Sequence, residues 1–539
     1  MTAFPALLRQ RLRRDGVQLL LWTLGTALLA YLTYVSVSQA YGTEQSRASI
    51  LAVVMANPVI LLFRGLPSGA GEGAFMLFLI FPFLALLAAL MSSFLAVRHT
   101  RGDEEVGRAE LVAATRAGRR APLLATLTHG VLANVLLASL IVVALMATGL
   151  GAKGSVVSGL AAGAVGLTFL GVGLVSAQLM KTSSGANSLA TWLLMLLFLT
   201  AGLGNALGTP SSDLQRIESS WLTWLSPFGW AEQTRPFAED DMGPIVLCAA
   251  LGLLLAGLAV ALQSVRDLGG SFVPERHGRA EASALLSTPL GLVVRLARPS
   301  IIGWGVGGLI TGILATTLAS VIRDIGTDNP ALDRIMQAMA GGTDMEQGTV
   351  VVFFTMLGIL AACCAVQTVC RARQEETHGT AELTLSAPVD RVRWLASFAL
   401  VAFVGVLVVI AAALAGAAAG LAARDGDWAL LGDVAVTGAG QVAAASVFIV
   451  ATALVFVVAP RATIPLGWAL VLVSMVLGLF GPLFGFPDWA VRLSPMGVAP
   501  TVTSDGVDVK GLWWLIAAVA AGGALALGLM RDRDLAPKN

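Results

Sequence analysis

The residues able to do chemistry gather in two short stretches. One is Arg101-Gly102-Asp103-Glu104-Glu105-Val106-Gly107-Arg108-Ala109-Glu110-Leu111; the other is Arg373-Gln374-Glu375-Glu376-Thr377-His378-Gly379-Thr380-Ala381-Glu382-Leu383. They register without a gap: Asp103 on Glu375, Glu104 on Glu376, Gly107 on Gly379, Glu110 on Glu382, and further along Arg119 on Arg391. Their chemistry is that of binding, not turnover. The four histidines, His99, His129, His277 and His378, are scattered, so no metal site is expected, since zinc needs ligands at close spacing. Cys248, Cys363, Cys364 and Cys370 sit in or beside apolar runs, without disulfide or CxxC spacing. One charged stretch of this kind reads as a solvated loop. Two in register, each between long apolar runs, read as one docking site used twice.

Each copy is expected to form a helix starting near its acidic cluster and running through Glu110-Leu111-Val112 or Glu382-Leu383-Thr384. Carboxylates in a first turn complement the helix dipole. Pro388 is expected to end the second copy, because proline disfavours helical geometry in the residue before it; Arg116 takes that place in the first.

The elements that must hold these segments are hydrophobic. Of the 539 residues, 56% are hydrophobic and 12% charged, against about 25% charged in soluble proteins. The class is an all-α polytopic membrane protein. A span needs about 20 apolar residues, and twelve runs qualify: 17–39, 75–97, 122–148, 155–180, 187–207, 243–265, 301–321, 350–370, 394–421, 434–459, 463–482 and 512–530. The run from Val17 is too long for a cleavable signal and lacks a clear small-residue cleavage site. Most of the 34 Lys and Arg residues fall in the segments that this layout puts on the same membrane face as the N-terminus. The positive-inside rule therefore places both termini and both charged repeats in the cytoplasm.

Other pieces repeat as well. Trp22 matches Trp304, Leu225-Ser226-Pro227-Phe228-Gly229 matches Leu493-Ser494-Pro495-Met496-Gly497, and Arg266-Asp267-Leu268 matches Arg533-Asp534-Leu535. The halves are read as residues 1–275 and 301–539, six spans each in parallel orientation, joined by a cytoplasmic linker, 276–300. Ala6 to Arg14 and Leu290 to Arg298 mix apolar and basic residues, and each reads as an amphipathic helix on the membrane surface. Residues 40–74 and 208–242 are outer loops; Trp221, Trp224 and Trp230 read as interfacial anchors. A net charge of +1 gives no footprint for nucleic acid.

The pattern Glu-Glu-x-x-Gly-Thr-Ala-Glu-Leu-x-x-x-x-Pro-Val-x-Arg, residues 375–391, resembles the coupling-helix segment of the type-2 permease superfamily of ATP-binding-cassette exporters. There it lies between the second and third spans of a six-span domain, as both copies do here. The whole layout, with two fused domains and the Leu-Ser-Pro motif, resembles the actinobacterial permeases described as exporters of polyketide antibiotics. The resemblance implies coupling helices near 101–116 and 373–388, with Asp103, Glu104, Gly107, Glu110, Glu375, Glu376, Gly379 and Glu382 meeting an ATPase. The first copy departs from the pattern at Arg108 and Arg116, which puts equal use of the two sites in doubt.

The chain contains no Gly-x-x-x-x-Gly-Lys-Ser/Thr loop. The family reading therefore requires two copies of a separate cassette ATPase, a homodimer carrying ATP and magnesium, with no cofactor on this chain. It also implies the plasma membrane of a prokaryote and a hydrophobic or amphipathic drug-like substrate in contact with membrane lipid. The pathway is expected along the second and fifth spans of each half: Phe75, Phe78, Phe81, Phe83, Leu194 and Phe198, then Phe353, Phe354, Leu470 and Met475.

The rival readings are an ion-coupled secondary transporter, and a mechanotransmitting permease acting on lipid or envelope components. The first needs ionisable groups near the bilayer midplane, and the assigned spans contain no Asp, Glu, Lys or Arg. His129 is read as a lone interhelical hydrogen-bonding residue without a carboxylate to make a proton path.

Overall fold

Inside a bilayer every backbone N–H and C=O needs an internal partner, so apolar runs of this length settle as helices. The computed structural model describes residues 3–55, 58–115, 117–118, 120–273, 286, 288–328, 345–423, 428–480, 487–503 and 506–534. Residues 276–285 and 287 of the expected linker, Asn57, Arg116, Arg119 and Leu535 lie outside the described residues. Among the described residues, 12 helices are long and apolar enough to cross a membrane. The chain divides into two units, Met1–His277 and Gly278–Asn539.

In the first unit the spans are α1 (Ala3–Ala40), α4 (Glu72–Arg98), α7 (Arg120–Ala147), α8 (Ala152–Leu179), α9 (Ser183–Ala206) and α11 (Gly243–Val265). Short helices α2 (Glu44–Met55) and α3 (Pro58–Phe63) lie between the first two spans. Helices α5 (Arg101–Glu105) and α6 (Arg108–Ala113) lie between the second and third, and α10 (Pro227–Glu232) precedes the last. In the second unit the spans are α12 (Pro289–Asp328), α13 (Met345–Thr377), α15 (Arg391–Ala422), α16 (Leu430–Val458), α17 (Thr463–Met475) and α19 (Leu512–Met530). The short helices there are α14 (Thr380–Leu385) and α18 (Asp488–Val491). Two small antiparallel pairs, Thr209–Pro210 with Ile217–Glu218 and Thr501–Thr503 with Gly506–Asp508, complete the loops at the far ends.

Each unit is built around its second and fourth spans. These are 72% and 78% buried in the first unit and 67% and 56% in the second, whereas the fifth spans are 39% and 22% buried. Small residues permit the close approach that replaces hydrophobic driving force between membrane helices. Gly166 on α8 is one such position, because a Cβ there would collide with the Asn134 amide on α7. Asn134 in turn donates to Ser92 Oγ on α4 at 2.8 Å, so one glycine lets three helices share a polar joint. Gly358 on α13 makes the same allowance for Gln441 on α16.

The expected surface helices Ala6–Arg14 and Leu290–Arg298 do not exist as separate elements. Each is the continuous N-terminal end of a span, in α1 (38 residues) and α12 (40 residues). Gly16, between Arg14 and Val17, does not interrupt α1, and Pro299 is absorbed inside α12.

Candidate functional site

The two charged repeats fold alike. In the first, α4 ends at Arg98, α5 carries Asp103, Glu104 and Glu105, Gly107 turns left-handed at φ 74°, and α6 begins at Arg108. In the second, α13 runs through Glu375 and Glu376, Gly379 turns at φ 77°, and α14 begins at Thr380. A side chain at either glycine would be strained whatever space surrounds it. In the second copy the acidic cluster therefore lies at the C-terminal end of the preceding helix, not in a first turn as expected; in the first, Asp103 and Glu104 lie in the first turn of the short α5, which ends before the glycine. Only Glu110 and Glu382 occupy the first turn of the docking helices. A helix C-terminus disfavours carboxylates, and in the second copy arginines compensate.

Glu104 sits between two arginines. Arg101 donates to it at 2.7 Å and Arg266, from beyond α11, at 3.0 Å. Arg101 is 1% exposed and also donates to the carbonyls of Ala177 and Gly270. In the second unit Glu376 accepts from Arg373 at 2.9 Å and from Arg533, beyond α19, at 2.7 Å. Arg533 stands 4.4 Å from the Phe456 ring centroid. The two repeated motifs thus meet: each Arg-Asp-Leu after a last span reaches back to the glutamate of the charged segment.

The departure at Arg108 proves conservative in contact. Arg108 pairs with Asp103 at 2.8 Å, while at the matching positions Thr380 donates to Glu375 at 2.6 Å. Asp103 also pairs with Arg14 on α1 at 3.2 Å, and Glu105 accepts from the backbone N–H and the hydroxyl of Ser183 at the start of α9. Pro388 is not what ends the docking helix. α14 stops at Leu385, and α6 stops at the matching Ala113 without a proline in register. Beyond each glycine the face is open: Glu110 and Glu382 are exposed, and Leu111 and Leu383 are 73% and 75% exposed.

The expected pathway residues fall into two groups. Phe75, Phe78, Phe81, Leu194 and Phe198 are buried within the first unit and Phe354 within the second, whereas Phe83, Phe353 and Met475 are half-buried and Leu470 is exposed. Phe75 packs on Tyr41 and Phe78, and Phe198 meets Phe228 edge-on at 5.5 Å. In this state the buried group is helix packing.

At the opposite end of each unit, the Leu-Ser-Pro motif stitches the last loop to the fifth span. Ser226 caps α10, accepting from Phe228 N–H, and donates to the Leu197 carbonyl at 2.7 Å. Ser494 donates to the Ser474 carbonyl at 2.9 Å. The glycine after each motif has no room for a Cβ, which would strike the Thr223 or Val491 carbonyl. Trp230 donates to the Trp224 carbonyl, while Trp221 is 71% exposed. Beside this joint lies a residue the sequence reading missed. Glu232 is buried, accepts from Asn205 Nδ2 at 2.6 Å, and borders a small cavity with Phe78 and Phe81. Burial pushes its carboxyl up to about 8, against the lowering effect of Asn205. No sequence signal separated it from the other loop acids.

His129 is not alone. Its Nε2 stands 3.5 Å from Asp15 Oδ2, the same oxygen that His99 Nε2 bonds, and all three side chains are buried. The expectation of scattered histidines fails because α1 extends past its apolar run and carries Asp15 inward to α4 and α7. The sequence reading stopped the span at Val17.

Twelve membrane-length helices, with two polar hairpins tied back to the spans, define a multi-pass membrane protein of the permease class. Residues 286–531 match the family model for the C-terminal domain of the multidrug efflux system permease Rv1217c. The multidrug efflux system permease protein Rv1217c of Mycobacterium tuberculosis is 34% identical over 538 residues, 99% of this chain and 95% of its own length. The chain belongs to this family of fused multidrug efflux permeases, which are transport components rather than enzymes.

Proposed function

We propose that the chain is the membrane permease of an exporter that moves hydrophobic or amphipathic compounds out of a prokaryotic cell across its plasma membrane. ATP is hydrolysed by two copies of a separate cassette ATPase. The observation that carries this reading is the duplicated hairpin. Each presents an exposed Glu-Leu pair beyond a left-handed glycine, and each is anchored by a largely buried Arg-Glu-Arg triad to the end of a last span. In the first unit, ties to α1 and α9 add two more routes by which a push on the hairpin reaches the spans. The name of the mycobacterial relative supports drug efflux as the transported class. In this reading both hairpins and both termini are cytoplasmic.

The test is co-purification with the cassette ATPase, followed by drug-stimulated ATP hydrolysis in vesicles. Transport that continues without ATP, driven by a proton gradient, would reject it in favour of an ion-coupled carrier. That second reading gains one observation, the buried Asp15–His99–His129 cluster. The cluster stands at the hairpin end of the bundle, where its His99 faces Asp103, and not at the mid-depth where a carrier needs its ionisable group.

A further inference from the structure

We propose that Asp15, His99 and His129 form a binding site for a divalent transition-metal cation of the zinc class, placed against the first hairpin. Three observations carry it. The donor atoms converge: His99 Nε2 and His129 Nε2 both address Asp15 Oδ2, and the three donors lie within 4.8 Å of one another. Tetrahedral zinc with bonds of about 2.0–2.1 Å holds its ligand atoms about 3.3 Å apart, close to the 3.5 Å between His129 and Asp15. His99 is hydrogen-bonded to the same oxygen, so a metal takes the place of the proton between them and parts the pair.

The second observation is an unmet need. His129 is 0% exposed; its Nδ1 has no hydrogen-bond partner, and its Nε2 has only the long 3.5 Å contact with Asp15. Burying a polar group without a partner is costly, and a metal would satisfy Nε2. Two imidazoles and one carboxylate suit a borderline metal such as zinc over magnesium or calcium, which prefer oxygen.

The third is an internal control. The register that puts Arg101 on Arg373 puts His99 on Arg371 and His129 on Val401, and the one that puts Trp22 on Trp304 puts Asp15 on Ala297. Ala297 and Val401 belong to one apolar cluster with Val293, Trp394 and Phe398. The six-span fold thus forms without the polar triad, so stability of the repeat does not require it.

The surroundings fit a ligand set. Arg98 holds the other oxygen of Asp15 at 3.2 Å, leaving Oδ2 for the metal. The guanidinium of Arg11 is engaged by the Pro122 carbonyl and Thr126. The second nitrogen of His99 faces Asp103 Oδ2 at 3.9 Å, beyond hydrogen-bond distance, so Asp103 acts on it only as a nearby negative charge. A cavity of about 100 Å³ bordered by His99, Arg14, Asp103 and Arg108 reaches the cluster from the His99 side. Because Asp103 also pairs with Arg14 and Arg108, metal bound at His99 would stiffen the first hairpin and not the second. That consequence rests on the docking reading; the site itself does not.

The test uses the full chain, purified with a tag free of histidine, stripped with chelator and titrated with zinc or cobalt. We expect one equivalent per chain, a tetrahedral cobalt spectrum, and loss of both in Asp15→Asn and His129→Gln, with His378→Gln unchanged. Zinc should also raise the thermal midpoint of the wild type. X-ray absorption of the bound zinc should show two imidazoles and oxygen, a readout that stands even if the variants fail to fold. No stoichiometric binding by the wild type, binding retained in both variants, or a zinc shell without two imidazoles would each overturn the site and leave a hydrogen-bonded cluster only. Loss of ATPase docking with metal binding intact would instead strike the docking reading.

Discussion

Two glutamates of one segment have opposite expected behaviour. Glu376 is 2% exposed between Arg373 and Arg533, whereas Glu382 lies on the open face. Removing a buried carboxylate from between two guanidiniums costs about 3–5 kcal/mol, so Glu376→Ala should lower thermal stability in detergent, as should Glu104→Ala. Glu382→Lys should leave stability unchanged, since exposed pairs are worth about 0–1 kcal/mol, yet weaken ATPase co-purification and export. Glu110→Lys should do the same, the double reversal should be worse, and Glu44→Lys in the loop at the far end should be silent. Normal export by both hairpin reversals would sink the docking role. At the far end, Glu232 binds its proton more tightly folded than unfolded, near 8 against 4.5. Its contribution is therefore fully present at low pH and is lost as pH rises between those values, by up to about 1.4 kcal/mol per unit. Glu232→Gln should flatten that slope in a pH series of melting curves.

At the scale of elements, the helix breaks matter more than the helix lengths. The spans were legible because apolar run length is the strongest signal a membrane chain carries: runs 243–265 and 512–530 coincide with α11 and α19. The hairpins were half legible. Gly107 and Gly379 stood out by register, but nothing local told that each would separate the acids before it from the helix after it. The burial of Glu104 and Glu376 was not legible either, because their partners Arg266 and Arg533 come from the far end of each half. Asp15 was misplaced for a related reason: a charged turn continuous with a span has no composition of its own. Gly379→Ala tests the break directly. It forces an L-residue to φ near 77°, costing about 1 kcal/mol, and should impair export while Thr380→Ala, which keeps the turn, has less effect.

At the scale of the whole molecule, the parallel repeat makes a prediction that labelling can check. Cysteines introduced at 108 and 380, both in hairpins, should react with an impermeant reagent only from the cytoplasm, and one at 213 only from outside. Reaction of 108 and 380 from opposite faces would end the parallel reading. The comparison of halves also shows which features belong to the architecture. The Arg-Glu-Arg triad and the serine that donates to a carbonyl of the fifth span occur in both, so they are common to the fold. The Asp15 cluster and buried Glu232 belong to the first unit, where Ala297 and Val401 show what the second does in place of the cluster.

The triads carry a consequence for how the chain is made. Glu376 is synthesised long before Arg533, and Glu104 long before Arg266. Until the ribosome has delivered the last residues of a half, that half holds a carboxylate at its hairpin without its second guanidinium. Each hairpin can therefore mature only when its six spans are threaded, and the arginine just past the final span acts as a completion mark. A chain cut after Met530 would keep all twelve helices and still present an unfinished second hairpin, the kind of surface that quality-control proteases remove.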